Sequence, residues 1–180
     1  MNFNTVEDIY SANESAREKL INVVKELSDK QANLPTENGK WTIAGIAEHL
    51  AMTSDGMSKI CYKLLSKAKE DGNKSDGKVN LSASFIEGLK KTAKTEEKFE
   101  APEQVSPKVG QSTEKSIEML NESSKLIKNM LPLFKSVDGT QPTFPHPYFG
   151  KMSAQDWLVL LGFHETRHTE QIESILKKHE

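Results

Sequence analysis

The chain has 180 residues, with 24 basic and 26 acidic side chains and a formal net charge of −2. That balance, with a pI near 6.2, argues against a nucleic-acid domain with its basic stripe, and a mean hydropathy of −0.60 fits a soluble, charge-rich helical protein. The single cysteine rules out an intramolecular disulfide, and a domain of this length buries enough surface to fold without one.

The first helix is expected from Thr5, because Ile9, Ala16, Leu20, Val23, Val24 and Leu27 recur at helical spacings. Thr5 stands at the N-cap with Asp8 three residues on, near the positive end of the helix dipole. Leu34-Pro35 and Asn38-Gly39 break that pattern. Thr42 opens the second helix, flanked by Trp41 and Ile46 at the positions of a hydrophobic staple. Its apolar stripe runs Ile46, Leu50, Met57, Ile60, Cys61, Leu64, Leu65. Residues 70–80 (EDGNKSDGKVN) read as a mobile polar loop, 81–98 as a short peripheral helix, and 99–112, with Pro102, Pro107 and Gly110, as an extended connection. Ile117, Leu120, Ile127, Leu131 and Phe134 define a third long helix, which Pro132 is expected to kink or end. Residues 139–150 hold three prolines and three aromatics and read as a rigid loop. The last helix opens at Ser153, with Asp156 at N3 and Met152 and Trp157 as a second staple. No alternation is long enough to build a sheet. Four amphipathic helices with two long connections predict an all-α four-helix bundle, a single domain over 1–180.

The longest strongly apolar stretch, Trp157 to Phe163, is far below the roughly 20 residues that span a bilayer. Met1 to Thr5 lacks a basic and apolar leader, so a reducing cytoplasm is the expected location. No membrane or nucleic-acid partner is expected.

Five histidines are present: His49, His146, His164, His168 and His179. His164 and His168 are four apart on the last helix and so share a face. That face is the core-facing one, since His164 is three after Leu161 and His168 four before Ile172. His49 likewise falls three after Ile46 on the second helix. Burying adjacent imidazoles is costly unless they are hydrogen-bonded or share a ligand, and bundles build metal sites from inward side chains of facing helices. The three therefore form a candidate metal site, the other reading being three hydrogen-bonded core histidines. Neutral imidazoles suit zinc, nickel, copper or iron, and three protein ligands leave positions open for water or substrate.

His164-Glu165-Thr166-Arg167-His168 also spells the zincin pattern H-E-x-x-H. One residue of helix rotation turns Glu165 away from the histidine face, so a zincin reading is rejected. His146 between two prolines, and Arg167 and Gln171 beside the histidine face, are candidate substrate-binding residues; fixing a loop's shape and polar surface contacts are the alternatives. Trp41 and Trp157 read as helix-entry packing, Cys61 as a buried inert thiol, and His179 as frayed.

Trp41-Thr42-Ile43-Ala44 leading to Ala47-Glu48-His49-Leu50 resembles the first signature of the DinB/YfiT-like superfamily. Phe144 to Gly150, then Asp156-Trp157-Leu158, then His164 to Ile172, is similar to its C-terminal signature. The linker Lys98-Phe99-Glu100-Ala101-Pro102 resembles a segment common in these domains. The resemblance covers nearly the whole chain. It implies a four-helix bundle of unusual topology, often dimeric, with a divalent metal (zinc or nickel first, manganese or iron next) held by His49, His164 and His168. It also implies a thiol-dependent enzyme, such as a bacillithiol-type S-transferase, as one function. Three functional readings follow: a metal-dependent transferase using a low-molecular-weight thiol and a small-molecule substrate, a metal-dependent hydrolase, and a non-enzymatic stress-related binding module.

Overall fold

A computed structural model of the chain describes residues 3–92, 100–108 and 111–179. Four long helices carry the fold: α1 (Val6–Lys25), α3 (Ile43–Glu70), α5 (Thr113–Ser136) and α6 (Ala154–Lys178). Between them lie the single turn α2 (Asp29–Ala32), the short α4 (Ala83–Thr92), a 3-10 turn at Glu103–Val105, and a hairpin of β1 (Phe144–His146) and β2 (Gly150–Met152). The architecture is the expected all-α four-helix bundle type, with α4 as the extra helix between the second and third long ones. No helix among the described residues is long and apolar enough to cross a membrane.

Each helix start is written in local chemistry. Thr5 Oγ1 accepts from Asp8 N at 3.2 Å while Asp8 Oδ2 accepts from Thr5 N at 2.9 Å. Thr42 Oγ1 accepts from Gly45 N at 3.1 Å. At α6, Ser153 Oγ accepts from Asp156 N at 3.1 Å and Asp156 Oδ2 accepts from Ser153 N at 2.9 Å. These bonds satisfy amide groups that the first turn of a helix leaves without partners.

The chain divides into two compact units, each built from one stretch of each long helix. The first comprises Met1–Ser11, Met57–Glu100 and Leu126–Leu160. Its core includes Ile9, Leu65, Phe85, Phe134 and Leu158, all fully buried. Asp156, also fully buried, accepts from Ser82 N at 2.9 Å and so fastens the loop entering α4 to the start of α6. The hairpin packs through Phe149 on Phe85, ring centroids 5.6 Å apart. A side chain at Gly88 would strike Phe149, since a Cβ there lies 2.4 Å from its ring.

The second unit comprises Ala12–Gly56, Ala101–Lys125 and Leu161–Glu180. Its apolar core joins Leu20 and Val24 of α1, Ile43, Ile46 and Leu50 of α3, Leu120 of α5, and Ile172 and Ile175 of α6. In this unit each long helix also carries buried polar residues: Asn13 and Arg17, Ser54, Ser123, and Glu165 with Thr169.

Three features add to or narrow the sequence reading. Residues 139–150 hold the first strand of a two-stranded antiparallel hairpin, with Phe144 opposite Met152 and His146 opposite Gly150; Gly150 takes the positive φ of 71° that reverses the chain. Pro132 does not end α5, which runs on to Ser136, because so near a C-terminus the missing N–H removes one hydrogen bond and the last turn still closes, Val137 N reaching Leu133 O at 2.9 Å. Ser28 and Gln31 form a capping box at the start of α2, a turn the sequence reading did not include. Of the peripheral helix read over 81–98, residues 83–92 are helical and 93–98 lie outside the described residues.

Candidate metal centre

His49 comes from α3 and His164 and His168 from α6, all in the second unit. Their ligand-capable nitrogens lie within 4.8 Å of one another, and among the described residues this is the group of histidine, cysteine or carboxylate side chains that could hold a metal ion. Ring centroids are 5.1 Å apart for His49–His164, 5.3 Å for His49–His168 and 4.6 Å for His164–His168.

The hydrogen bonds assign the tautomers. His49 Nδ1 sits 2.7 Å from the Val105 carbonyl oxygen, which can only accept, so Nδ1 carries the proton. His168 Nδ1 donates to Gln171 Oε1 at 2.8 Å. Thr53 Oγ1 donates to the carbonyls of His49 and Leu50, at 2.9 and 3.1 Å, and lies 3.5 Å from His164 Nδ1. With the proton on Nδ1, His49 and His168 each present an Nε2 lone pair. His49 Nε2 and His164 Nε2 confront each other at 3.3 Å. Two imidazole nitrogens bound at about 2.0–2.1 Å to a tetrahedral ion are themselves about 3.3 Å apart, the separation of this pair. The donor set therefore fits a divalent transition metal, and the partners on Nδ1 are of the kind that orient metal-bound imidazoles.

Burial holds His49 and His168 neutral. Desolvation lowers the His49 pKa, with the Val105 hydrogen bond working the other way. Desolvation pushes His168 down to about 3, helped by the neighbouring His49 and by Arg167 and opposed by Gln171. Neutral imidazoles are the ligating form.

The walls come from segments that the sequence reading treated separately. Trp41 lies against His49 with centroids 4.9 Å apart and the ring planes tilted by 42°, so this helix-entry residue is also a wall of the histidine group. The stretch around the 3-10 turn is tied to α3 twice, by the Val105 carbonyl on His49 and by Lys108 N donating to the buried Glu48 at 3.0 Å. Pro107 lies against Gly45, where an added Cβ would already be in contact at 3.4 Å.

Glu165 is fully buried, and its carboxylate is held by others. Arg17 Nε donates to Oε2 at 3.0 Å, Arg17 Nη2 pairs with Oε1, and Ser54 Oγ donates to Oε1 at 2.9 Å. Glu165 stands outside the group that could hold a metal, in keeping with the rotation argument from sequence. Arg17 also donates to the Leu120 carbonyl and to Ser123 Oγ, the latter at 3.3 Å. The sequence reading missed Arg17, Ser54 and Ser123. Their signal was a shared gap: the apolar stripes break between Ile9 and Leu20, Leu50 and Met57, Leu120 and Ile127, and Leu161 and Ile172.

Of the other candidates, Gln171 reaches the site through His168, and Arg167 is exposed beside it. His146 belongs to the first unit and does not join the three. It is packed against Phe149 and Trp157, centroids 4.7 and 5.3 Å away, and its Nδ1 accepts from Tyr148 N at 3.1 Å. Cys61, also in the first unit, is fully buried, and burial pushes its thiol up to about 12, which makes it inert at neutral pH.

These features define a helical-bundle protein with a three-histidine group able to hold one metal ion. The chain belongs to the DinB superfamily, whose sequence profile matches residues 12–172. It is similar to the uncharacterized protein YuaE of Bacillus subtilis (strain 168), 22% identical over 167 residues that cover 91% of this chain and 94% of that one. Its fold matches the crystal structure of TT2238, a four-helix bundle protein, with a TM-score of 0.57 at 19% identity, covering 93% of this chain and 98% of that one.

Proposed function

We propose that His49, His164 and His168 bind one divalent transition-metal ion, zinc or nickel before manganese or iron, through their Nε2 atoms, and that the chain is a metal-dependent transferase acting with a low-molecular-weight thiol. The observation that carries the reading is the confrontation of the His49 and His164 Nε2 atoms at 3.3 Å with their Nδ1 atoms engaged elsewhere. Three protein ligands are the complement of a catalytic rather than a closed structural site. When bound, the ion would supply Lewis acidity, lowering the pKa of a coordinated thiol so that it is a nucleophile at neutral pH.

The chain's own residues support transfer over hydrolysis. Hydrolysis asks for a general base beside the ion. The two carboxylates next to the ligands in sequence are both engaged: Glu165 by Arg17 and Ser54, Glu48 by the Lys108 amide. A thiol that loses its proton on coordination needs no such base. The chain's part is to orient the three imidazoles and to hold His49 and His168 neutral, with the Trp41 ring beside His49.

The test is a thiol-transfer assay on the reconstituted protein, with a haloarene as electrophile and bacillithiol, mycothiol, glutathione and cysteine as donors. A metal-dependent rate with at least one thiol, absent in His164→Ala, is expected. Rates equal to the metal-free control for every thiol contradict the transferase reading.

A further inference from the structure

The Arg17–Glu165 pair lies in the interior of the second unit, Glu165 fully buried and Arg17 6% exposed. Taking both charges out of water costs several kcal/mol per ion, and apolar side chains of the same volume commonly stabilise a fold as well or better. Stability does not account for this pair. What a bidentate guanidinium–carboxylate contact gives, and packed methyl groups do not, is a fixed mutual orientation.

That orientation acts on the metal ligands. Glu165 follows His164 directly and precedes His168 by three residues, so the azimuth of its side chain sets the azimuth of both imidazoles about the α6 axis. Arg17 clamps it from α1 and is itself held by the Leu120 carbonyl and Ser123 of α5. Ser54 of α3 donates to the same carboxylate at 2.9 Å. Ser54 is next to Thr53, which faces His164 Nδ1, and is five residues on from His49. The bond from Ser54 to Glu165 thus fixes the register of α3 against α6, the register that brings His49 Nε2 to 3.3 Å from His164 Nε2. Close approach of α1 to α6 is secured beside it, where Gly162 leaves room for Asn13: a Cβ at Gly162 would fall 2.1 Å from Asn13 Oδ1.

We propose that Arg17 and Glu165 are positioning residues for the metal centre: a buried ion pair that sets the rotation of α6 and its register on α3, so that the three Nε2 atoms converge. The inference rests on the three-histidine reading, and it extends that site by a layer of charge that touches neither ion nor substrate.

The test is zinc affinity, by competition with a chromophoric chelator, in wild type, Arg17→Met/Glu165→Met and Arg17→Lys, with the melting temperature of each apo form measured alongside. Cobalt(II) substitution adds the visible spectrum as a readout of ligand geometry. The paired apolar variant is expected to stay folded, because it leaves no charge unpaired, yet to bind zinc about 10- to 100-fold more weakly, as when the outer partners of a metal site are removed. Its cobalt bands should shift. Arg17→Lys keeps the charge but loses the fork; it decides the matter if the paired variant does not fold, and is expected to bind zinc about tenfold more weakly. A purely structural pair would lower the apo melting temperature and leave the affinity and cobalt spectrum of the folded protein unchanged. Folded variants that bind zinc within twofold of wild type, with an unaltered cobalt spectrum, overturn the inference. A wild type that binds neither zinc nor cobalt overturns the three-histidine reading beneath it, a different failure.

Discussion

Replacing Gly162 with alanine measures how closely α1 and α6 meet beside the histidines. Helix propensity alone favours the change by about 1 kcal/mol. The structure opposes it, because the new Cβ would lie 2.1 Å from Asn13 Oδ1, 2.9 Å from its Cγ and 3.3 Å from its Cα. The amide can rotate away, but Asn13 is 7% exposed, and its backbone, also crowded by the new methyl group, yields only if α1 moves. Overpacking of this kind costs about 1–3 kcal/mol, so against the propensity gain the net expectation is a loss of up to about 2 kcal/mol and, for a chain of this size, a fall in melting temperature of up to about 4–8 °C. Circular dichroism at 222 nm during thermal and urea unfolding reads both. Adding Asn13→Ala to Gly162→Ala should recover part of the loss, a favourable coupling of about 1 kcal/mol in a double-mutant cycle. An alanine variant as stable as wild type or more so, with no coupling to Asn13, refutes the close approach.

Asp156→Ala removes the acceptor for two amide groups, Ser82 N and Ser153 N, each at 2.9 Å. It should cost about 2–3 kcal/mol in urea unfolding and speed amide exchange at Ser82. In the first unit, burial holds His146 down at about 4, below its ordinary 6.5. The unfolded chain therefore takes up a proton below pH 6.5 that the folded chain refuses until about pH 4. Stability contributed by this group is fully present above pH 6.5 and is lost as the pH falls toward 4. Thermal melts of wild type and His146→Gln across that window should show a shallower decline in the variant; parallel curves contradict the assignment.

Much of the fold was legible because its determinants are local. The caps at Thr5, Thr42 and Ser153 need only side chains within three residues, and all three form. Leu20, Val24, Ile46, Leu50, Leu120, Phe134 and Ile172 lie inward as helical periodicity requires. The three histidines were legible for the same reason, since phase on two helices places them together. What escaped was long-range. Arg17 and Glu165 are 148 positions apart, and a charged residue in a stripe reads as an interruption until its partner is known. Val105 as the partner of His49 was equally hidden, because a backbone carbonyl has no residue-type signature. The hairpin escaped because two strands of three residues carry too short an alternation to register, and prolines outweighed it.

The central claim is that three Nε2 atoms share one ion. Elemental analysis of untagged protein, as isolated and after reconstitution with zinc, nickel, manganese and iron, tests it most directly when wild type is compared with His168→Ala. About one transition-metal ion per chain in wild type, lost in the variant, is the expected result. Wild type that takes up none of the four metals, or a variant that holds as much as wild type, contradicts it and leaves the histidines as hydrogen-bonded members of the core.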